Sequence, residues 1–351
     1  MKYAELFAGI GGFRNAADHL SQDTNVKFKC VGFSEIDNFA LTTYSNNYNL
    51  NGETRMHDIT QFVDNRKRLK EMPEFDLLLG GFPCQSFSVL GKKLGLEDER
   101  GKILFSIDTL LRKKEPEFIV LENVRNIMTH DKGNTLNEIL NFFKDHKYRY
   151  VNYVILDSLY FGLPQRRPRI FFVCIKKNIN IDLTEQSIIE NFRSIKKHSL
   201  TTYNNVLDIL EKQVDQKYYL SEKIKHTILA DGSKKFRSKS QIDLDIARTL
   251  TATMVKMHRA GQDNYYSDDF ILKGKSHKDT SKEVLFKKPV RRLTPKEALK
   301  LQGFDETFYK RAIAAGVSEH QLYKQAGNAL SVNTGYALLH YLFGKLKVQN
   351  K

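Results

Sequence analysis

The sequence predicts an α/β fold: a twisted, mostly parallel sheet with helices on both faces, followed by a smaller domain of mixed or β-rich character. Three observations predict it. Strand and helix signals alternate at βα spacing through the first half of the chain. Glycines and acidic residues fall just after successive apolar runs, where open α/β sheets hold their ligands. Beyond about residue 176 the alternation stops, and Lys, Asn, Asp and Ser dominate with weak periodicity.

Residues 3–7 read as a first strand and 12–20 as the helix after it. A second strand covers 28–34, a helical stretch starts at Asp37, and a short third strand ends near Asp58. Residues 76–79 are too short an apolar run for a helix and are closed by Gly80 and Gly81, so they form a fourth strand. A helix around 103–112 leads to a fifth strand over 118–121, and 148–156 and 169–175 supply two closing strands. Parallel neighbours in such a sheet require right-handed crossovers. Helical patterning returns at Pro295, with Thr294 as N-cap and the proline at the first helical position. A last helix covers 332–346.

A chain of 351 residues can hold one large domain and a smaller one. Its net charge of +15 favours a polyanionic partner over a merely lysine-rich surface, without separating DNA, RNA and membrane. Three cysteines and no CxxC pair argue against a disulfide scaffold or a zinc site, so no metal is expected. Cys30 and Cys174 fall inside strands as packed thiols, which fits a reducing cytoplasm. No apolar stretch approaches membrane-spanning length, and Glu5, Arg14 and Asp18 interrupt any signal-peptide pattern.

Cys84 says most about chemistry. It stands in Gly80-Gly81-Phe82-Pro83-Cys84-Gln85-Ser86-Phe87-Ser88, just past the fourth strand. Pro83 fixes its own φ and biases Phe82 toward an extended conformation, which presents the thiol on a stiff loop at the ligand-binding edge. A structural cysteine is the other reading, but such cysteines rarely stand between Pro and Gln at a strand end. The first strand ends in Phe7-Ala8-Gly9-Ile10-Gly11-Gly12, which permits close ligand approach without matching GxGxxG spacing. Glu35 follows the second strand and could accept hydrogen bonds from a ribose diol, and Asp58 follows the third and could face an adenine amino group. Together they point to a nucleoside site. Glu122, in Glu122-Asn123-Val124, ends the fifth strand beside the fourth and so near Cys84. It either holds a substrate ring through N–H groups or transfers a proton. In Gln165-Arg166-Arg167-Pro168-Arg169, Arg167 and Arg169 project to one face of an extended segment and could carry fixed charge into the site, the alternative being a solvated basic turn.

At this point the chain resembles a DNA (cytosine-5)-methyltransferase of the bacterial modification type. The matching elements are FAGIGG, Glu35, Asp58, GGFPCQSFS, ENV, QRRPR, RRLTPKEALKLQGF and YKQAGNALSVN, in order from residue 7 to about 333. The resemblance implies a Rossmann-like, S-adenosylmethionine-dependent methyltransferase sheet with a smaller target-recognition domain. It implies that Cys84 adds to C6 of a cytosine flipped out of duplex DNA, and that Glu122 bonds N3 and the exocyclic amino group. Arg167 would bind O2 and orient Glu122, and Arg169 would support the pocket. S-adenosylmethionine would be lined by Phe7, Ile10, Gly12, Glu35, Ile36, Asp58, Ile59, Pro83 and Ile103, with Asn328 and Ala329 completing its site, and would leave as S-adenosylhomocysteine. Residues 88–102 would form a mobile loop that closes over the base. The implied domains are catalytic and cofactor-binding (1–195), target-recognition (196–292), and a return segment with C-terminal helix (293–351). Arg248-Thr249-Leu250-Thr251 resembles the family's recognition-domain signature. Arg248, Thr249, Thr251, His258, Arg259, Gln262 and Asn264, with Gln85, Ser88 and Arg100, are the candidate DNA contacts. The implied setting is a monomer on double-stranded DNA in a prokaryotic cytoplasm, paired functionally but not physically with a cognate restriction endonuclease.

Other readings fit less of the sequence. The tRNA-methylating branch of the same fold usually carries a different signature in its recognition region, absent from this sequence. A catalytically silent DNA-binding relative would not need Cys84, Glu122 and Arg167 together. A thiol-dependent hydrolase needs a basic partner for Cys84, and none of the ten histidines stands in a recognisable partner motif.

Overall fold

The computed structural model describes residues 1–82, 99–233, 236–237, 239–256 and 260–349. The chain forms two compact units. The first comprises Met1–Asp157, Pro168–Ser199 and Thr334–Lys351, and the second Ser158–Arg167 and Leu200–Asn333.

The first unit contains β1 (Lys2–Leu6), α1 (Gly12–Asp23), β2 (Lys29–Phe33), α2 (Asn38–Asn47), β3 (Thr54–Arg55), α3 (Ile59–Asp64), α4 (Arg66–Glu71), β4 (Leu77–Gly81), α5 (Glu99–Lys114), β5 (Phe118–Val124), α6 (Asn134–Asp145), β6 (Tyr150–Asp157), β7 (Pro168–Ile175) and α7 (Glu185–Ser194). Its seven strands lie in the order β3-β2-β1-β4-β5-β7-β6. The first five are parallel, and β7 runs antiparallel between β5 and β6. The α/β class and mainly parallel sheet are therefore as the sequence predicts. β5 runs on through Glu122-Asn123-Val124 because β7 keeps pairing with it as far as Val124 opposite Arg169.

One buried cluster joins Leu6, Leu78, Ile119, Leu121, Ile170 and Phe172 of the sheet to Phe62, Ile107, Leu110, Ile139 and Phe143 of the helices. Elsewhere in the unit, Phe343 of the C-terminal helix stands edge-on to Phe28 and Phe118, each 5.4 Å away. The Tyr336 hydroxyl of that helix donates to Asp23 at 2.9 Å. Cys30 and Cys174 are buried free thiols. Glu5, 2% exposed in β1, receives a hydrogen bond from the Tyr44 hydroxyl at 3.2 Å. Burial pushes its carboxyl up to about 8, although nearby Arg14 and Tyr44 pull it down.

The second unit contains α8 (Glu222–Leu229), the antiparallel pair β8 (Gly232–Ser233) and β9 (Phe236–Arg237), β10 (Tyr265–Ser267), α9 (Asp268–Lys273), α10 (Lys282–Leu285), β11 (Val290–Arg292) antiparallel to β10, α11 (Pro295–Lys300), α12 (Glu306–Ala314) and α13 (Glu319–Asn328). The last helix, α14 (Val332–Gln349), starts here and passes into the first unit at Thr334. The unit is mixed rather than β-rich, since its described strands are two short pairs among helices and loops. It also runs past residue 292, where the sequence suggested a boundary. Arg291 explains why: its guanidinium, 1% exposed, holds Glu297 at 2.9 and 2.7 Å, and Glu297 in turn accepts the N–H groups of Thr294 and Glu211 at 2.7 Å each. The expected capping box of Thr294 with Glu297 is part of this network.

A carboxyl whose native pKa is raised adds stability that is fully present below its unfolded value near ~4.3 and is lost as pH rises toward about 8. Glu5→Gln should therefore flatten the fall of the thermal midpoint between about pH 5 and 8 and be more stable than the wild type above that range. An unchanged slope in thermal scans would exclude Glu5 as its source. Glu297→Gln, which strands the Arg291 charge, should lower the unfolding free energy by about 3–5 kcal/mol. The Arg291→Met/Glu297→Met double variant removes both charges and should cost less; urea melts in which it is the weaker of the two would refute the argument.

Candidate active site

The carboxyl ends of the parallel strands lie along one edge of the first unit's sheet. β1 sits between β2 and β4, so the chain turns outward in both directions from it, and such a switch point opens a crevice at the strand ends. The same edge carries Phe7 after β1, Glu35 after β2, Asp58 after β3, Phe82 after β4 and Glu122 near the end of β5. The start of β7, with Arg169, joins them because that strand is antiparallel.

The loop after β1 is tightly bound to the end of β2. Phe7 has a positive φ of 53°, and its N–H donates to Ser34 Oγ at 3.1 Å, while the Ala8 N–H donates to the Ser34 carbonyl at 2.9 Å. The Gly9 N–H donates to Glu35 Oε2 at 2.8 Å. Glu35 Oε1 accepts from the N–H groups of Ile36 and Asp37, also at 2.8 Å. Three backbone donors thus fix a carboxylate that can accept about four hydrogen bonds. Gly11, at φ 83°, tolerates no side chain, since a Cβ there would lie 2.5 Å from the Tyr48 ring. Gly12 is buried as the first residue of α1. Beside Glu35, Ile36 is 72% exposed. Asp58 caps α3 through Oδ1, which accepts from Thr60 N–H and Oγ1 at 2.8 Å each. Ile10 and Ile59 are buried, and Ile103 packs partly against the core from α5.

At the β5 end, Glu122 Oε1 lies 3.0 Å from Arg169 Nε, with side chains only 14% and 13% exposed. Burial pushes the Arg169 guanidinium down from its ordinary range, and Glu122 counteracts that. A Cβ on Gly81, the strand partner of Glu122, would come within 3.3 Å of Glu122 Oε2, so the glycine keeps the space beside the carboxylate clear. Arg169, the residue expected to support the pocket, is an ion-pair partner of Glu122. Arg167 lies in the second unit, 2% exposed, and donates to the carbonyls of Leu250, Gly327 and Ala329.

Asn123 is a residue that the sequence reading passed over. It is 3% exposed, its amide donates to the Phe82 carbonyl at 2.9 Å, and its Oδ1 accepts the Val124 N–H at 2.7 Å. It thereby pins the chain two residues before Cys84. The signal was an amide directly after Glu122 at the end of a largely apolar strand, where a buried polar group must find a partner. Ser34 was also missed, and a serine carries no distinctive signal at a strand end.

Pro83, Cys84, Gln85, Ser88, His258 and Arg259 lie outside the described residues, as does most of the expected mobile loop. Its end is helical from Glu99, and Arg100 falls in that first turn of α5. In the second unit, Arg248 is half-buried and donates to the Gln241 carbonyl at 3.1 Å. Thr249 hydrogen-bonds the Arg166 carbonyl, and Thr251 and Gln262 are exposed. Asn264 is buried and clasps both backbone groups of Arg248 at 2.8 and 3.1 Å. Asn328, exposed, ends α13, and Ala329 follows it, buried.

Comparison with known proteins places the chain in a family. A family model, C-5 cytosine-specific DNA methylase, matches residues 1–343. The Type II methyltransferase M1.ScrFI of Lactococcus lactis subsp. cremoris is 35% identical over 354 residues, covering 100% of this chain and 80% of that protein. The orphan methyltransferase M.SPRI of Bacillus phage SPR is 28% identical, covering 95% of each. Among solved structures, the S. pombe Dnmt2 methyltransferase matches with a TM-score of 0.75 over 99% of both chains at 20% identity, a likeness of fold. Matched from its first strand into its last helix, the chain belongs to the C-5 cytosine-specific DNA methylase family.

Proposed function

We propose that the chain methylates C5 of a cytosine flipped out of a short duplex DNA sequence, through a covalent bond from Cys84 to C6. The observation that carries this reading is the Glu122–Arg169 pair, held on β5 beside the strand that leads to Cys84. C5 of cytosine is a poor nucleophile. Addition of the Cys84 thiolate forms an S–C6 bond and shifts the displaced electron pair toward C5, which becomes enamine-like. Glu122, kept in place by Arg169, bonds N3 and the exocyclic amino group and offsets the negative charge that develops on the ring. After methylation, loss of the C5 proton to a base returns the electron pair, breaks the S–C6 bond and restores the thiolate.

S-adenosylmethionine, when bound, supplies the electrophilic methyl group. The strand-end residues fit it. Glu35 has an acceptor direction left beyond its three N–H donors, Asp58 caps α3 with only one oxygen, and the exposed Ile36 offers an apolar face to an adenine. We assign catalysis and cofactor binding to the first unit and target recognition to the second. The charge of +15 suits a protein that tracks duplex DNA, which we read as a monomer in a prokaryotic cytoplasm. No described helix is long and apolar enough to cross a membrane. The Type II name of the 35% identical relative supports a role as the modification half of a restriction-modification pair.

Asp58→Asn, which keeps an oxygen to cap α3, should weaken S-adenosylmethionine binding in calorimetry while the apo thermal midpoint stays close to the wild type; unaltered affinity would remove the Asp58 charge from the site. The central test is trapping. A fluorine at C5 cannot leave as a cation, so duplex DNA with 5-fluorocytosine at the target and S-adenosylmethionine should give a denaturant-resistant adduct that peptide mapping places on Cys84. Cys84→Ser should give none, because a neutral hydroxyl is a far weaker nucleophile. An adduct on Cys30 or Cys174, or full activity in Cys84→Ser, would overturn the mechanism.

A further inference from the structure

Arg167 and its neighbours form a polar hub inside the second unit. Arg167 Nη1 donates to the Leu250 carbonyl at 2.9 Å, and Nη2 donates to the carbonyls of Gly327 and Ala329 at 2.8 Å each. Leu250 is the third residue of Arg248-Thr249-Leu250-Thr251. Its N–H is taken by Gln165 Oε1 at 2.9 Å, so its donor and its acceptor are both held by side chains two residues apart in the chain. The backbones also meet directly: the Ala247 N–H donates to the Pro164 carbonyl at 2.8 Å, the Arg166 N–H to the Ala247 carbonyl at 2.9 Å, and the Thr249 hydroxyl to the Arg166 carbonyl. Gln165 Nε2 reaches on to the Leu301 carbonyl at 2.9 Å.

The far side of this segment is equally confined. A Cβ on Gly327 would lie 2.2 Å from the carbonyl carbon of Thr251, so the backbone of the segment rests on the last turn of α13 with no side chain between. Arg167 grips both surfaces of that contact. A planar guanidinium presents several donors in a fixed fork and can hold three carbonyls at once, and a cation at a helix C-terminus also meets the negative end of the helix dipole. A lysine ammonium is a compact charge without that fork.

We propose that Arg167 is a specificity-determining positioning residue. It locks the backbone of residues 248–251 against the end of α13, and the exposed Thr251 with the half-buried Arg248 and Thr249 discriminates among DNA sequences only while the backbone is locked. The proposal rests on the DNA-methylating reading above and moves Arg167 from the reacting base to the recognition apparatus.

Arg167→Lys and the gentler Thr249→Val, which removes only the hydroxyl bond to Arg166, test it in the full chain. Thermal scans establish that each variant folds. Bisulfite sequencing of DNA from expressing cells gives the wild-type target and the methylation at every near-target sequence. In both variants the ratio of target to near-target methylation should fall about tenfold, spread over several base positions, because a loosened backbone moves more than one side chain. Turnover on the target should fall by less than that ratio. A direct contact by Thr249 would instead relax one base position alone, and that outcome overturns the proposal. So does an Arg167→Lys variant with collapsed turnover and an unchanged sequence profile, which returns Arg167 to the reacting base. A wild type that methylates no duplex DNA sinks the reading of the activity itself.

Discussion

The antiparallel insertion of β7 between β5 and β6 is the constraint on which the candidate site depends. Had β7 run parallel to β5, its first residues would lie at the opposite edge of the sheet, about 20 Å away for a strand of this length. Because it runs the other way, the chain re-enters the sheet where β5 leaves it, and Arg169 arrives beside Glu122. The register makes them diagonal partners, since Glu122 is opposite Phe171 and Val124 opposite Arg169. Diagonal residues on one face are within reach of long side chains. Each charge is mostly withdrawn from water, so each needs the other, and the carboxylate is held where a ring could meet it.

The other half of the edge is organised by backbone rather than by charge. Glu35 is immobilised by three N–H groups from two loops, and Ser34 takes two more. These bonds force the chain after β1 into positive φ at Phe7, Gly9 and Gly11. A phenylalanine in that region is strained, and such strain persists only where the surroundings over-determine it. The loop is thus shaped before any ligand arrives, which reduces the ordering cost of binding.

Much of this was legible in the sequence. Apolar runs closed by Gly80 and Gly81, or followed by Glu35, gave most strands of the first unit and the edge on which the chemistry sits, because a parallel sheet buried on both faces writes itself as short continuous apolar stretches; the two-residue β3 before Asp58 is polar. The helix α6 was not anticipated. Only a few of its residues are buried, Ile139 and Phe143 among them, and it is entered through three successive positive-φ residues, Asp131, Lys132 and Gly133, that no local pattern announces. The second unit was legible at Thr294-Pro295, where cap chemistry is local. It was opaque elsewhere, because polar groups such as Asp243, Arg291 and Glu297 are buried there with help from Ser267 and Glu211, 24 to 86 residues away in sequence.

The QRRPR segment spans a change of surroundings. Alternation in an extended segment puts residues two apart on one face, which suggested a shared task for Arg167 and Arg169. The strand begins only at Pro168, and the chain passes from one unit to the other between Arg167 and Pro168. Residues on the two sides of that passage answer to different surroundings: Arg169 follows the ladder of β7 to Glu122, while Gln165 and Arg167 hydrogen-bond carbonyl and amide groups of Leu250, Leu301, Gly327 and Ala329. Five adjacent residues therefore serve two structures. A dense motif in a sequence need not mark one site; it can mark the place where the backbone crosses from one packed unit into another, and there a side chain's partners are set by which unit its own backbone has joined.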